Sequence, residues 1–102
     1  MAIEKILAKV YHQNGEVVFA ACDQQLLDRQ FEEGELQLTV HSSFYDGFSV
    51  DENSLIRYIK TSTIVNLVGE SVIECAKKAG LLTEDCVLRV QGIPHAQIYR
   101  MT

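Results

Sequence analysis

The dipeptide Asn14-Gly15 separates two apolar stretches near the start of the chain, and it restricts the possible folds more than any other feature. Both residues tolerate the positive φ that a type I′ turn requires, so the pair is typical of a two-residue β-hairpin. In Ile3–Tyr11, before the turn, apolar and polar residues alternate, which is typical of a strand with one buried face. Glu16–Cys22 after the turn is apolar on both faces, which predicts a central strand. We therefore expect an antiparallel sheet in which the second strand is internal.

The segment that follows the hairpin is predicted to contain a short helix and a third strand. Asp23 is placed to cap a helix over Gln24–Phe31, and Gly34 offers a stop for that helix. Glu35–Val40 alternates between apolar and polar residues, which predicts a strand with one solvated face. The aromatic-rich stretch 41–49 contains turn formers and is expected to be an ordered loop.

Two helices are predicted in the middle of the chain. Ser49 and Glu52 have the spacing of a capping box, which indicates a helix from there to about Thr61. Apolar residues at helical spacing predict a longer helix over Ile64–Ala79, with Gly80 as its stop.

A last hairpin is predicted at the end of the chain. Cys86–Val90 is expected to be a short strand, and Gln91–Pro94 to reverse the chain into a final strand, His95–Met101. About five strands, mostly linked by hairpins, and about three helices between them predict an α+β fold. We expect a two-layer sandwich with a mainly antiparallel sheet and the helices on one face, in a single domain spanning 1–102.

Composition narrows the possible functions. The formal net charge is −5 and the nine basic residues are scattered, which disfavours nucleic acid as a partner. The three cysteines form no C-x-x-C pair and are odd in number, which favours a reducing, cytoplasmic location over a secreted scaffold. No signal peptide or membrane span is evident, so no membrane association is expected. The three histidines lack partners at zinc-ligand spacing, so no metal or cofactor is predicted.

A polar stripe on the predicted long helix is one candidate site. Asn66 and Glu70 are four residues apart and would share a helical face, with Gly69 between them. Glycine inside a helix costs about 1 kcal/mol relative to alanine, so Gly69 needs a reason such as a close approach by a ligand or another backbone. The alternative is a solvated helix edge with a packing glycine.

Two further places could carry chemistry. A thiol at Cys22, just before the predicted cap Asp23, could have a lowered pKa at a helix N-terminus, although free cysteine is more often an inert buried residue.

His95 follows the only proline and would project from the start of a strand, with Gln97 two residues on. The alternative is a corner with outward strand residues. Tyr45 could line a cleft or cover the core.

Five segments of the chain together resemble a known family. In order, they are C-D-Q-Q-L-L, F-E-E-G-E-L, S-F-Y-D-G, I-V-N-L-V-G-E and G-I-P-H-A-Q-I. In order and spacing these are similar to the archaeal family catalogued as domain of unknown function 424. The resemblance covers nearly the whole chain and implies a small, single-domain, cytoplasmic protein with a two-layer sandwich, but no activity.

The resemblance also marks particular positions. Asp28 departs from the family pattern, in which a glycine often follows the paired leucines, and this puts the end of the first predicted helix in doubt. The matching positions are Cys22, Asp23, Phe44, Tyr45, Gly47, Asn66, Gly69, Gly92, Pro94, His95 and Gln97.

Three functions are compatible with these residues. The first is a non-enzymatic protein-interaction module with an exposed patch around His95, Gln97 and Tyr45; by analogy with small archaeal domains, its partner could belong to translation or RNA processing. The second is an enzyme or small-ligand binder with a cleft that gathers Asn66, Glu70 and His95. The third is direct RNA binding by an aromatic platform on an exposed sheet face beside scattered basic residues. The platform residues would be Tyr11, Phe19 and Tyr99.

Overall fold

The hairpin predicted around Asn14-Gly15 is confirmed in the computed structural model, which describes residues 5–100. Asn14 and Gly15 have φ values of 51° and 80°, and Gln13 pairs with Glu16 across the turn. The predicted strand limits at Ile3 and Met101 lie outside the described residues. The described part of the chain forms β1 (Ile6–Gln13), β2 (Glu16–Asp23), β3 (Gln30–Glu33), β4 (Leu36–Thr39), α1 (Ser42–Tyr45), β5 (Phe48–Val50), α2 (Glu52–Thr61), β6 (Ile64–Val68), α3 (Glu70–Lys78), β7 (Leu88–Val90) and β8 (Ile93–Tyr99).

These strands form a six-stranded sheet in the order β5-β1-β2-β6-β8-β7 and a two-stranded sheet, β3-β4. The central pair, β2 and β6, is parallel, while the other neighbouring strands are antiparallel. The α+β class and the mainly antiparallel sheet are therefore confirmed, with six strands in the main sheet in place of about five.

The two faces of the large sheet bury different cores. Along β6, Val65 and Leu67 point into a core that includes buried residues of α2 and α3. Val68 points the other way, into a second core under the β3-β4 hairpin and α1. Alternate residues of a strand face opposite sides, so β6 is buried on both faces. The third helix, α1, thus belongs to the opposite layer from α2 and α3, so the prediction that the helices lie on one face holds for α2 and α3 and is wrong for α1.

The predicted helix over Gln24–Phe31 is wrong. Gln24–Leu26 forms one 3₁₀ turn, and β3 begins at Gln30. Asp28 has a φ of 62°, a left-handed conformation that a helix cannot continue through. The family resemblance expects glycine at this position, which fits the observed backbone.

The predicted long helix over Ile64–Ala79 is also wrong in its first third. Residues 64–68 form strand β6, and α3 begins only at Glu70. A strand buried on both faces is apolar at nearly every position, so its pattern cannot be distinguished from that of a buried helix. The predicted helix to Thr61 is present as α2, but its cap is Asp51, whose Oδ1 accepts from the Ser54 amide at 2.8 Å.

The last hairpin has a shorter turn than predicted, and its final strand begins two residues earlier, at Ile93. Its turn residues are Gln91 and Gly92, with φ values of 52° and 78°. Pro94 is therefore not part of the turn. It is buried within β8, opposite Arg89 of β7.

Candidate functional site

The predicted stripe of Asn66 and Glu70 is divided by the fold, because the two residues do not share a helix. Asn66 lies on β6, and its Oδ1 accepts a hydrogen bond of 2.8 Å from Nε2 of Gln97 on β8. The hydroxyl of Tyr99 in turn donates to Oε1 of Gln97 at 3.2 Å. The structure therefore brings Asn66 and Gln97 together, as part of a polar row on the sheet face opposite to α2 and α3.

Glu70 lies elsewhere, at the first turn of α3. Its carboxylate pairs with the guanidinium of Arg89 at 3.0 Å, and Arg89 also contacts Glu84 at 2.9 Å. The paired side chains are largely solvent-exposed, so these contacts contribute little to stability. Glu70 therefore belongs to an ion pair beside α3 and not to a cleft with Asn66 and His95.

Asp23 caps a helix, but the helix is α3 and not the segment that follows Asp23 in sequence. The carboxylate is 1% exposed and accepts from the backbone amides of Ser71 at 3.0 Å and Val72 at 3.1 Å. The first amides of a helix have no partner within the helix, so a carboxylate from another strand can satisfy them. Asp23 thus attaches the end of β2 to the start of α3.

Gly69 is required by that contact. It has a φ of 117°, and a Cβ atom built on it would lie 2.6 and 2.7 Å from the two carboxylate oxygens of Asp23. Its amide donates to the carbonyl oxygen of Pro94 at 2.9 Å. We name this arrangement of Asp23, Gly69 and the first-turn amides of Ser71 and Val72 the Asp23–Gly69 junction. It accounts for the glycine without any ligand.

Cys22 and Tyr45 are components of the second core. Cys22 is fully buried, and burial together with the neighbouring carboxylates of Asp23 and Asp46 raises the pKa of its thiol to about 12. This is the opposite of the lowered pKa that a reactive thiol needs. Tyr45 is 5% exposed and packs edge-on against Phe44, and burial raises the pKa of its phenol. Both side chains therefore lack the access to solvent that a site requires.

His95 lies on β8 opposite Leu88, the first residue of the edge strand β7. It is half-buried, and burial lowers the pKa of its imidazole below the usual 6.5, so the side chain is neutral at pH 7. It borders a shallow surface depression of about 260 Å³ beside β8. We name this the edge depression; its lining residues are Cys86, Leu88, His95, Ala96, Gln97 and Tyr99.

The edge depression carries exposed apolar surface. Leu88 is 49% exposed and Tyr99 is 66% exposed, among the most exposed large apolar side chains of residues 5–100. Contiguous exposed apolar surface with a polar rim marks protein-interaction sites and ligand-binding grooves. Of the sequence-predicted site residues, His95 and Gln97 lie here. Leu88 is not among the predicted site residues, and Tyr99 is predicted only as part of the aromatic platform for RNA; only the sheet order could have placed the two together.

The aromatic platform predicted for RNA does not form. Phe19 is fully buried and stacks on Tyr58 of α2 at 5.0 Å between ring centroids. Tyr11 stacks on Phe44 at 5.4 Å, and its hydroxyl donates to the carbonyl oxygen of Phe44 at 2.8 Å. The third ring, Tyr99, is exposed without the other two beside it.

Within residues 5–100, no group of three or more histidine, cysteine, aspartate or glutamate side chains is arranged to hold a metal ion. None of the described helices is long and apolar enough to cross a membrane. The fold and the surface together define a small α+β domain with a mixed six-stranded sheet and an exposed edge.

Comparisons with known proteins agree with this class. Residues 11–101 match the family described as "Protein of unknown function (DUF424)", and the chain belongs to this family. It is also similar to the crystal structure of an uncharacterized conserved protein from Methanopyrus kandleri. That likeness has a TM-score of 0.71 and 26% sequence identity and covers 96% of each chain. A search of curated proteins finds no match.

Proposed function

We propose that this chain is a non-enzymatic protein-interaction module whose binding surface is the edge depression. The observation that carries the proposal is the exposure of Leu88 and Tyr99 beside the half-buried His95. A soluble domain gains nothing in its own stability from exposed side chains of this size, whereas a bound partner would bury them. Tyrosine is well suited to such a surface because it offers a large rigid contact area and a polar tip.

The distribution of titratable groups supports binding over catalysis. General acid-base chemistry needs groups that converge on one substrate atom. In this chain Glu70 is held by Arg89, Asp23 is used as a helix cap, and Cys22 is buried with a raised pKa. His95 thus remains beside Gln97 and Tyr99 without a carboxylate in the edge depression.

The setting of this function is part of the proposal. We place the chain in an archaeal cytoplasm, on the basis of the family resemblance and of three free cysteines, Cys22, Cys75 and Cys86. A role beside the translation or RNA-processing machinery is proposed by analogy with other small archaeal domains.

The test is affinity capture. The full chain is the bait, and proteins that bind it are recovered from a native lysate of the source cells, with and without ribonuclease. A double variant, Leu88→Ser with Tyr99→Ser, removes the exposed apolar groups and leaves the sheet backbone intact. Phe48→Ser is the matched control, because Phe48 is an exposed apolar residue on β5 at the opposite edge of the sheet. Circular dichroism establishes that each variant is folded.

We expect at least one protein that binds reproducibly in near-stoichiometric amount with and without ribonuclease. It should be lost with the double variant and kept with the Phe48 control. Equal capture by the double variant, or loss of every partner after ribonuclease treatment, contradicts the proposal.

A further inference from the structure

We propose that the edge depression binds an extended, basic peptide segment of another protein, which adds to β8 as a further strand. This inference rests on the proposed function and specifies its partner and binding mode. Three observations support it. Backbone groups of β8 have no partner on the outer side of the strand, β7 is too short to cover them, and the charge of the chain favours a basic partner.

The backbone register leaves hydrogen-bonding groups of β8 free on its outer side. The amide of Gly69 donates to the carbonyl oxygen of Pro94, and the amide of Arg100 donates to that of Thr63. Because hydrogen-bonded positions alternate along an antiparallel pair, Ala96 and Ile98 also direct their backbone groups toward β6. The backbone N–H and C=O groups of Gln97 and Tyr99 consequently point outward. Among residues 5–100, neither residue has a backbone partner on that side.

The place for a further strand is open because β7 is short. β7 covers only the first part of β8, where Leu88 pairs with His95 and Val90 with Ile93. Continuing this register by two residues would put Cys86 opposite Gln97. Cys86 instead lies in a 3₁₀ turn, Glu84–Cys86, and its amide donates to the carbonyl oxygen of Thr83 at 3.0 Å. The edge depression is the space that a longer β7 would fill.

The free stretch of this edge, 97–99, is short but carries no lysine, proline or bulge, which are usual protections against strand addition. Natural edges are shielded by lysine, proline, bulges or very short strands. The opposite edge of this sheet is formed by β5, a strand of 3 residues. At the β8 edge the outward-facing residues are Gln97 and Tyr99, which carry no charge. An incoming strand would gain main-chain hydrogen bonds from these residues and apolar contacts from Leu88 and Tyr99, as in β-augmentation.

Charge favours a basic partner over a second copy of this chain. The formal net charge is −5, so two copies repel one another. The positive charge of Arg89 is compensated by Glu70 and Glu84. Arg100 keeps its charge, but its guanidinium is directed to the end of α2, where it donates to the carbonyl oxygens of Ile59 and Ser62. The turn next to the edge depression contributes the acidic side chain of Asp85, whereas the neighbouring Glu84 is paired with Lys77 and Arg89. A strand that carries lysine or arginine complements this surface.

The experiment is amide hydrogen exchange of the full chain, followed by NMR, with short acetylated peptides as probes. The first probe alternates lysine with valine. The second alternates glutamate with valine, and the third is the lysine–valine peptide with N-methyl groups on the amides that would face β8. The amides of Ala96 and Ile98 are the internal controls, because they are directed toward β6 and should be protected throughout.

We expect the amides of Gln97 and Tyr99 to exchange rapidly in the free protein. At a lysine–valine peptide concentration about ten times its Kd, their exchange should slow about tenfold. The glutamate peptide and the N-methylated peptide should have no such effect, and added salt should weaken binding.

Each other outcome overturns the inference in a distinct way. Equal binding of the N-methylated peptide, or shifts at Leu88 and Tyr99 without amide protection, removes strand addition but leaves the proposed function standing. Lack of binding by the lysine–valine peptide at millimolar concentration removes this class of partner. Protection of Gln97 and Tyr99 that rises with protein concentration alone identifies a second copy as the occupant.

Discussion

Substitution Gly69→Ala is the sharpest test of the Asp23–Gly69 junction, because two separable effects should destabilise the variant. The first is backbone strain: φ 117° and ψ 154° lie in a region that only glycine adopts easily, and the cost for another residue is about 1–3 kcal/mol. The second is steric, since the new Cβ would lie 2.6 and 2.7 Å from the carboxylate oxygens of Asp23. Overpacking of this kind costs about 1–3 kcal/mol. We expect a total loss of about 2–6 kcal/mol in the free energy of unfolding.

A double-mutant cycle with Asp23→Ala separates the two effects. Asp23→Ala removes Cγ and both oxygens, which are the nearest atoms to the added Cβ, and by itself costs about 1–2 kcal/mol as a lost helix cap. In that background Gly69→Ala should cost only the strain. The double variant should therefore be about 1–3 kcal/mol more stable than the sum of the single changes predicts.

The matched control is Gly80→Ala. Gly80 also has a positive φ, 75°, but an added Cβ would meet nothing within 4 Å, so only the cost of a left-handed residue remains, about 1–2 kcal/mol. Urea unfolding followed by circular dichroism gives all the free energies. The reasoning is refuted if Gly69→Ala costs no more than Gly80→Ala, or if the two changes of the cycle add to within about 0.5 kcal/mol.

Two further predictions follow from the titratable groups. Burial lowers the pKa of His95 below 6.5, so between the folded-state pKa and 6.5 the unfolded chain binds more protons at this residue than the folded chain does. The contribution of His95 to stability should therefore be complete above pH 6.5 and be lost as the pH drops from 6.5 through the folded-state pKa. Urea unfolding at several pH values should show a shallower fall for His95→Gln than for the wild type and for the control His12→Gln at the exposed hairpin turn. Cys86 is exposed, whereas Cys22 and Cys75 are buried and have raised pKa values, so one thiol should react rapidly with a thiol reagent in the native protein and three only after unfolding. Rapid labelling of Cys22 in the native state would show that the second core opens.

The parts of the fold that sequence predicted well are those encoded by local signals. Asn14-Gly15 specifies its own hairpin because the positive φ values belong to the turn residues themselves. The helix to Thr61 was found for a similar reason, although the cap was assigned to Ser49 and is Asp51. In both cases neighbouring residues in sequence supply the stabilising contacts.

The parts that sequence could not predict depend on contacts between distant residues. The sequence predicts that Asp23 caps the segment directly after it, whereas its carboxylate caps α3. It accepts a hydrogen bond from the amide of Ser71, which lies 48 residues further along the chain. The same contact explains why Gly69 stands at a strand–helix boundary and not inside a helix. Periodicity alone could not reveal this, since residues 64–68 form a strand that is buried on both faces.

The candidate site was only half predicted, and the reason is topological. His95 and Gln97 stood out in the sequence by their place beside the single proline, but Leu88 and Tyr99 have no motif to mark them. Their importance comes from the late start of β7 at Leu88, which leaves the outer backbone groups of Gln97 and Tyr99 on β8 exposed.

The Asp23–Gly69 junction and the β8 edge are linked through a single strand. The amide of Gly69 donates to the carbonyl oxygen of Pro94, and Pro94 is buried directly before His95. Pro94 has no N–H to offer β6, so this one bond is the backbone contact between the junction and β8 at that level. The junction thus holds the inner side of β8, while the outer side at Gln97 and Tyr99 stays free. The residues singled out by sequence therefore divide into those that fix the position of the strand and those that the strand presents to a partner.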